Sequence, residues 1–264
     1  MSSAKVQGQL WGARAEDWGM YTEQVSLPLF GAALDAGRVT AGTRLLDAGC
    51  GAGLLTLLAS LRGARVTALD ASAALLDIAR RRVPTADVRE GDLEALPFDD
   101  GTFDAVAAVN SLFYAKSMDT AMRELARVAR PGGRIVMTAW GPPERCEFLS
   151  AVMPALRSLL PPPPPDAPAP HPGALSEPGA MAAVLKRAGL RFVAEGEVDC
   201  PFVFASSEAS WRANSSAGVN QAAIAHSGEA AVRAVYADAD RAHTHPDGSV
   251  RYENVFLWAA GERV

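Results

Sequence analysis

Residues 45–53 read Leu-Leu-Asp-Ala-Gly-Cys-Gly-Ala-Gly, an apolar strand end that runs directly into three alternating glycines. Glycine has no Cβ and adopts left-handed conformations readily, so this loop can turn tightly and bring its backbone against a ligand. A helix is predicted to begin at Leu54, which places the loop at a positively polarised helix N-terminus. Ligands of open α/β sheets bind at this position, so the stretch favours that fold and marks its ligand site.

The same residues discriminate between two classes of ligand. The dinucleotide fingerprint G-x-G-x-x-G needs a glycine at position 54, where this chain has Leu54. Asp47 at the strand tip would repel a pyrophosphate, whereas its charge suits a ligand that carries an ammonium and a sulfonium group. The loop therefore favours S-adenosylmethionine over a nicotinamide dinucleotide, and a plain glycine-rich turn is the remaining alternative.

Amino-acid composition limits the binding partners and the cellular compartment that can be expected for this chain. The chain has 264 residues, 49% of them apolar, and a net charge of −5. One sizeable core is expected, and nucleic acid, which needs a basic face, is not an expected partner. Residues 1–10 have no apolar signal core, and no apolar run is long enough to span a membrane. Cys50, Cys146 and Cys200 are widely spaced without a C-x-x-C pair, which disfavours disulfides and zinc. These features predict a cytoplasmic protein without membrane contact.

Strand and helix signals alternate along the first half of the chain. This alternation predicts an α/β fold, a Rossmann-like parallel sheet with helices on both faces. Ser72 and Ser176 are predicted helix N-caps, and Pro161 to Pro172 predict a stiff extended connection. The predicted strands cover 43–48, 65–70, 85–90, 102–110, 134–140, 190–200 and 251–260, and the predicted helices cover 54–62, 73–82, 118–129, 144–159, 176–188 and parts of 205–247.

Four segments in register carry a family resemblance: 45–53, Gly-Asp-Leu-Glu-Ala-Leu-Pro-Phe at 91–98, Phe-Asp-Ala-Val at 103–106, and Leu-Ala-Arg-Val-Ala-Arg-Pro-Gly-Gly at 125–133. Together they resemble the class I S-adenosylmethionine-dependent methyltransferases. The chain looks closest to the branch that includes ubiquinone and menaquinone biosynthesis enzymes and many natural-product methyltransferases.

The resemblance implies a seven-stranded, mostly parallel sheet whose last strand is antiparallel, with a helical cap. It implies a single methyltransferase domain over 1–264. Within it, residues 1–40 would form N-terminal cap helices and residues 41–141 the cofactor-binding core. Residues 142–175 and 201–248 would be insertions that cover the substrate.

The resemblance also assigns roles at the site. The loop glycines would lie against the methionine part of the cofactor, with Asp47 near its ammonium and sulfonium. Asp70 would accept both ribose hydroxyls, Asp92 the adenine amino group, and Asn110 would face the amino end of the cofactor. The alternatives are a solvated strand-end acid for Asp70 and a turn residue for Asp92. The full set of expected cofactor contacts is Asp47, Ala48, Gly49, Cys50, Gly51, Gly53, Asp70, Ala71, Asp92, Leu93, Asn110, Ser111, Arg14 and Trp18.

The N-terminal segment carries two tryptophans, Trp11 and Trp18, seven residues apart on one predicted helical face. Such spacing is typical of core packing. In the resembled family this segment folds over the active site, and an arginine or aromatic residue there touches the carboxylate of the cofactor. Arg14 and Trp18 are the matching positions.

The acceptor side is less constrained. Phe113, Tyr114, Trp140 and Trp211 are predicted pocket walls from their positions alone. The Asn/Asp-Pro-Pro-Tyr signature of nucleic-acid amino methyltransferases and the acidic pairs of magnesium-dependent O-methyltransferases have no counterpart. His243-x-His245 lacks an identifiable third ligand and is interpreted as a solvated turn, so no metal is predicted.

The predicted function is metal-independent, in-line transfer of a methyl group from S-adenosylmethionine to O, N or C of a small molecule, with S-adenosylhomocysteine as product. No general base is identified. The alternatives are an NAD(P)-dependent oxidoreductase, which Leu54 and Asp47 disfavour, and a catalytically silent protein that binds the same cofactor.

Overall fold

A seven-stranded sheet forms the centre of the protein, of which a computed structural model describes residues 3–162 and 175–264. The strand order is β3-β2-β1-β4-β5-β9-β6. The strands are β1 (Arg44–Ala48), β2 (Arg65–Asp70), β3 (Asp87–Glu90), β4 (Phe103–Ala108), β5 (Ala129–Trp140), β6 (Leu190–Asp199) and β9 (Val255–Arg263). Only β9 runs antiparallel, between β5 and β6. The predicted fold class is therefore confirmed.

Helices cover both faces of this sheet, because the side chains of a strand alternate between its faces. On β4, Val106 and Ala108 pack in one cluster with α6 and α8, whereas Ala105 and Ala107 pack in another with α3 and α4. In the described ranges no helix has the length and apolarity needed to cross a bilayer. The helices are α1 (Ser3–Gly12), α2 (Ala15–Asp17), α3 (Leu27–Ala36), α4 (Leu54–Leu61), α5 (Ala73–Arg82), α6 (Met118–Val128), α7 (Glu147–Leu156), α8 (Ala180–Arg187), α9 (Ser207–Ser215), α10 (Gly218–Ser227) and α11 (Glu229–His243).

Local sequence signals predicted some ends of helices and strands correctly and others incorrectly. Ser72 caps α5, as predicted, by accepting a hydrogen bond from the amide of Leu75. The predicted cap at Ser176 is wrong: α8 begins at Ala180 after Gly179, which is in the left-handed conformation. Strand β5 begins at Ala129 rather than at 134. Of the predicted proline-rich connection, residues 163–172 lie outside the described part of the chain.

The predicted helices within 206–245 are present as α9, α10 and α11. They are flanked by a short antiparallel ribbon that the sequence did not reveal, β7 (Phe202–Phe204) paired with β8 (Val250–Tyr252). A second, largely aromatic core joins these elements to α7 and to the ends of β5 and β9. Its members include Trp140, Phe148, Phe202, Phe204, Trp211, Tyr236, Tyr252 and Phe256.

A buried polar network ties this helical cap together. The carboxylate of Asp240 accepts hydrogen bonds from the hydroxyls of Tyr252, at 2.7 Å, and Ser210, at 3.0 Å. The hydroxyl of Tyr236 donates to the side-chain oxygen of Asn220 at 2.9 Å. Buried polar groups of this kind are costly unless they are paired, so the network links α9, α10, α11 and β8 in one arrangement.

Replacing Tyr252 with Phe removes one of these donors and leaves a buried carboxylate under-satisfied. We expect Tyr252→Phe to lower the free energy of unfolding by about 1–3 kcal/mol. Tyr21→Phe is the matched control, because the Tyr21 hydroxyl accepts from Arg212 at an exposed site and its loss should cost less than about 0.5 kcal/mol. Urea denaturation of both variants measures the difference, and equal costs would contradict a stabilising role for the network.

Candidate functional site

The glycine loop leaves β1 and turns back over the end of β2. Gly49, Gly51 and Gly53 all have positive φ, at 83°, 56° and 85°. The amides of Gly49 and Cys50 both donate to the carbonyl of Leu69, at 2.7 and 3.0 Å. A Cβ at Gly49 would lie 2.3 Å from the Cβ of Ser111. Glycine is therefore required here both by backbone conformation and by a close neighbour.

Two of the predicted acids face this loop. Asp47 is buried at the end of β1 and accepts a hydrogen bond from the hydroxyl of Thr56 at 2.6 Å. Asp70 ends β2 and accepts from the amides of Gly51 and Ser72, both at 2.9 Å. Each carboxylate thus holds the loop or the helix that follows it. Asp70 is half-buried and has two backbone partners, and its contact with the ribose hydroxyls stays a prediction.

A third acid, Glu23, was missed at the sequence level. It is 3% exposed and accepts a hydrogen bond from the amide of Ala52, inside the loop, at 2.7 Å. Arg82 at the end of α5 forms an ion pair with Glu23 and donates to the carbonyls of Ala52, at 2.8 Å, and Gly19, at 3.1 Å. No local pattern marks either residue, because their contacts span 29 to 63 positions of the chain.

The charge at the loop is unbalanced. Burial raises the pKa of Asp47 to about 7, helped by repulsion from Glu23 and Asp70. Burial also raises the pKa values of Glu23 and Asp70, although Arg82 opposes the rise at Glu23 and backbone amides oppose it at Asp70. Three carboxyl groups share one paired guanidinium. A ligand that brings positive charge would therefore be stabilised here.

The remaining predicted loop contacts lie close by. Ala48 and Cys50 are buried, and burial raises the pKa of the Cys50 thiol well above its usual range, in keeping with a spacer role. Asp92 accepts a hydrogen bond from the amide of Glu94 at 2.9 Å, which is the geometry of a turn residue. The side chain of Leu93 packs on the core. A contact of Asp92 or Leu93 with adenine stays a prediction.

At the end of β4 the backbone is strained. Asn110 has a φ of 51°, a left-handed conformation that few residues other than glycine adopt. Thr138 on β5 holds it, accepting from the Asn110 amide and donating to its side-chain oxygen, both at 2.9 Å. Ser111 donates to the carbonyl of Ala48 at 2.7 Å. Strained residues of this kind gather at functional sites, and this one lies beside the loop.

The N-terminal segment covers the loop. A Cβ at Gly8 of α1 would lie 2.1 Å from the carbonyl oxygen of Ala71, so the helix backbone contacts the β2–α5 connection directly. The indole nitrogen of Trp18 lies 3.1 Å from the Cβ position of Gly51 and is buried without a hydrogen-bond partner. Trp11 packs edge-on against Trp18, at 4.7 Å between ring centroids. Trp18 thus lies beside the glycine loop, and its contact with the cofactor stays a prediction.

Arg14, in contrast, does not reach the loop. Its guanidinium donates to Ser215 and Glu229 of the cap, both at 2.8 Å, and lies over the ring of Trp211. The prediction treated this segment as one continuous helix. The chain instead leaves α1 after Gly12 and breaks at Arg14, with φ −134° and ψ 50°, so that this side chain is engaged by the cap.

The four predicted pocket walls fall into two groups. Phe113 and Tyr114 follow Asn110 in a short 3-10 turn, with Tyr114 packed edge-on against Trp11 at 5.0 Å. Trp140 and Trp211 belong to the aromatic core of the cap. His243, which the sequence analysis interpreted as part of a solvated turn, is the last residue of α11; its ring packs at a tilt against Tyr252 and lies 3.7 Å from Glu147.

Residues 46–137 match the family model described as a methyltransferase domain. This segment is a methyltransferase domain. The predicted family, the class I S-adenosylmethionine-dependent methyltransferases, is confirmed, and with it the cofactor of that family. The match covers the glycine loop, Asp70, Asp92 and Asn110 but neither the N-terminal segment nor the cap.

Curated relatives match only part of the chain. An uncharacterised protein of Mycobacterium tuberculosis is 34% identical over 143 residues, which are 53% of this chain and 52% of that protein. The malonyl-(acyl-carrier protein) O-methyltransferase of Serratia marcescens is 39% identical over 97 residues, 37% of this chain and 38% of that enzyme. The chain thus aligns with about half, or less, of the length of these relatives.

Solved structures extend the likeness to the fold as a whole. The 4+2 cyclase SpnF has a TM-score of 0.65 at 19% identity, covering 100% of this chain and 98% of that one. The geranyl diphosphate C-methyltransferase of Streptomyces coelicolor has a TM-score of 0.50 at 21% identity, covering 89% and 78%. At these identities the likeness shows a shared fold.

The charge at the loop predicts a pH-dependent stability. Between about pH 4 and pH 7 the folded protein holds a proton on Asp47 that the unfolded chain releases. Stability from this group therefore falls as the pH rises through that window, by up to about 1.4 kcal/mol per pH unit. We expect Asp47→Asn to abolish this slope and to be the more stable protein at pH 8.

Asp119→Asn is the control for this measurement. Asp119 is paired with Arg187, which holds the pKa of Asp119 below its usual value. Its effect on stability should not change between pH 5 and pH 8. Denaturant unfolding of the three proteins at several pH values measures the free energy of unfolding as a function of pH. Parallel curves for wild type and Asp47→Asn would mean that the proton is taken up by a group other than Asp47.

Proposed function

We propose that this protein transfers a methyl group from S-adenosylmethionine to O, N or C of a small molecule, without a metal ion. The observation that carries the proposal is the set of three carboxyl groups at the glycine loop of a methyltransferase domain: Asp47 and Glu23 are buried, Asp70 is half-buried, and Arg82 forms an ion pair with Glu23. A cofactor with an ammonium and a sulfonium group would stabilise the ionised forms of these groups, whose pKa values burial raises.

The described residues fit this cofactor. Each oxygen of Asp70 accepts one backbone amide and retains capacity for a further donor, which suits a pair of ribose hydroxyls. Asp47 and Glu23 provide negative charge beside the loop. The Trp18 indole nitrogen is a buried donor without a partner, which supports a contact with the carboxylate of the cofactor. Because α1 packs directly on Ala71, we expect the N-terminal segment to shift when the ligand enters.

When bound, S-adenosylmethionine supplies an electrophilic methyl group on a sulfonium. The chain's own residues would then hold and align the reactants and keep water away. Trp11, Trp18 and Tyr114 form a continuous aromatic contact over the loop that suits the exclusion of water. Alignment and desolvation are sufficient sources of rate for an already activated methyl donor, so the proposal needs no dedicated base.

The acceptor is proposed to be a small, largely apolar molecule. Phe113 and Tyr114 follow Asn110 closely in the chain, and Trp140 and Trp211 belong to the aromatic core of the cap. Named relatives act on different acceptors, malonyl-(acyl-carrier protein) in one case and geranyl diphosphate in the other. We therefore leave the accepting atom open among O, N and C.

A second candidate function keeps the cofactor site without methyl transfer. The structural neighbour that spans the whole chain is named a 4+2 cyclase, so this fold also serves other chemistry. Under that alternative the protein would bind S-adenosylmethionine and produce no S-adenosylhomocysteine.

Binding tests the cofactor site. We expect calorimetry to detect S-adenosylhomocysteine and no heat with NAD or NADP. Asp70→Asn should weaken the binding by about 1.5–3 kcal/mol, because it removes a charged hydrogen-bond acceptor while keeping the shape of the side chain. Asp119→Asn, on the surface of α6, should leave the dissociation constant unchanged. Binding of NAD in place of S-adenosylhomocysteine would refute the assignment.

Turnover tests the transfer itself. We expect labelled methyl from S-adenosylmethionine to appear in a member of a small-molecule acceptor panel, with one S-adenosylhomocysteine released per methyl and no loss of activity in a chelator. Trp211→Ala should reduce turnover by about tenfold or more, whereas the protein should still bind the cofactor. Cofactor binding without release of S-adenosylhomocysteine across the panel favours the second candidate.

A further inference from the structure

We propose that the amino-terminal edge of the sheet carries a second binding site, for a phosphate or diphosphate anion. A cavity of about 360 Å³ opens there, where α3 meets the starts of β1 and β5. Three arginines and one acid line it, together with small or polar residues: Arg38, Arg130, Arg134 and Asp104, with Gly37, Gly42, Thr43 and Gly132. The glycine loop follows the other end of β1, so this cavity is separate from the methyltransferase site.

Arg134 supplies the observation that points to a ligand. The residue is 7% exposed, and its Nε is buried without a hydrogen-bond partner. Its nearest acid, Glu262, lies 3.4 Å from the terminal nitrogen and also pairs with Arg191. Burial of a cation with an unsatisfied donor is costly, and an oxyanion in the cavity that Arg134 lines would stabilise this charge.

Arg38 is a further cation at this cavity. It follows the last turn of α3 with a φ of 53°, a position that glycine usually occupies. Its exposed side chain forms no hydrogen bond or close ion pair with the residues that the structure describes, and it is attracted at longer range by Glu262, which other arginines already share. An arginine with a left-handed backbone, beside a cavity and not held by a hydrogen bond, is suited to binding an anion.

The charges around the cavity favour anions overall. Asp104 forms ion pairs with two arginines, and Glu262 forms ion pairs with two others. Each acid carries one negative charge and therefore neutralises only one of its two partners. With Arg38 the local net charge is +3, in a chain whose total is −5. The groups counted are Arg38, Arg44, Arg130, Arg134 and Arg191 against Asp104 and Glu262.

The shape of the donors indicates the kind of anion. Guanidinium groups present planar pairs of N–H donors that match phosphate oxygens, and several arginines around one cavity favour a multiply charged oxyanion over chloride. The volume is sufficient for a small phosphorylated molecule. The source is either a free inorganic anion or the phosphate group of a small metabolite, and the two share the same recognition chemistry.

The test is calorimetric titration of the full chain with pyrophosphate, inorganic phosphate and glycerol phosphate, each at constant ionic strength set with potassium chloride. We expect saturable binding of at least one of these anions. If inorganic phosphate binds more tightly than glycerol phosphate, the site is for a free anion; if glycerol phosphate binds more tightly, it is for a phosphorylated metabolite. Titration with chloride at the same ionic strength is the control: equal heats from chloride and from the oxyanions, or no saturable heat from any of them, would mean charge screening alone and would overturn the site.

Two variants separate binding from folding. Arg38→Gly removes one cation and also relieves the left-handed backbone, so the fold should be at least as stable while the anion binds about tenfold more weakly. Arg134→Gln should have a similar or larger effect. Arg187→Gln, an exposed arginine paired with Asp119 on another surface, is the control for loss of one charge.

Unchanged anion affinity in a folded Arg38→Gly protein, or an equal loss in Arg187→Gln, would overturn the proposal. Affinity for S-adenosylhomocysteine should stay the same in all three variants, because the cavity lies at the opposite end of the strands from the glycine loop. A failure of the anion titration therefore does not bear on the proposed methyltransferase function. Likewise, absence of cofactor binding or methyl transfer would not bear on the anion site.

Discussion

Burial of carboxyl groups against the glycine loop is the constraint on which the site depends. Asp47, Asp70 and Glu23 each accept a hydrogen bond that orders the loop or its flanking helices. Their desolvation is unfavourable, and Arg82 offsets only part of the repulsion. The fold thus raises the pKa values of these groups and imposes an electrostatic cost on ionising them. A bound cation would relieve it, so stability and cofactor affinity are coupled through the same three groups.

The sheet could be predicted because its signals are local. Strands such as β1 and β4 are apolar runs between good helix formers, and Ser72 contacts the amide of Leu75 three positions away. The glycine spacing around Asp47 likewise lies within one short segment. A single stretch of sequence contains both the residues and their geometric relation, so the loop and the class of cofactor could be predicted, whereas the order of the strands was not predicted.

The rest of the site depends on contacts between distant segments. Glu23 meets Ala52, and Arg82 reaches back to Gly19, from positions that carry no recognisable pattern. Arg14 was misplaced because a break in the helix redirects its side chain, which periodicity alone does not reveal. The β7–β8 ribbon escaped notice because its strands have three residues each and pair across the entire helical insertion.

Strand β9 has a consequence for how the chain is made. It lies inside the sheet rather than at its edge, and β6 pairs with β9 within the sheet. Phe256 on the same strand anchors the aromatic core of the cap. During synthesis, β6 and the cap therefore cannot complete their packing until residues 255–263 have left the ribosome. Until then two apolar surfaces stay open, and this long-range pairing is expected to make the final step of folding slow and sensitive to aggregation.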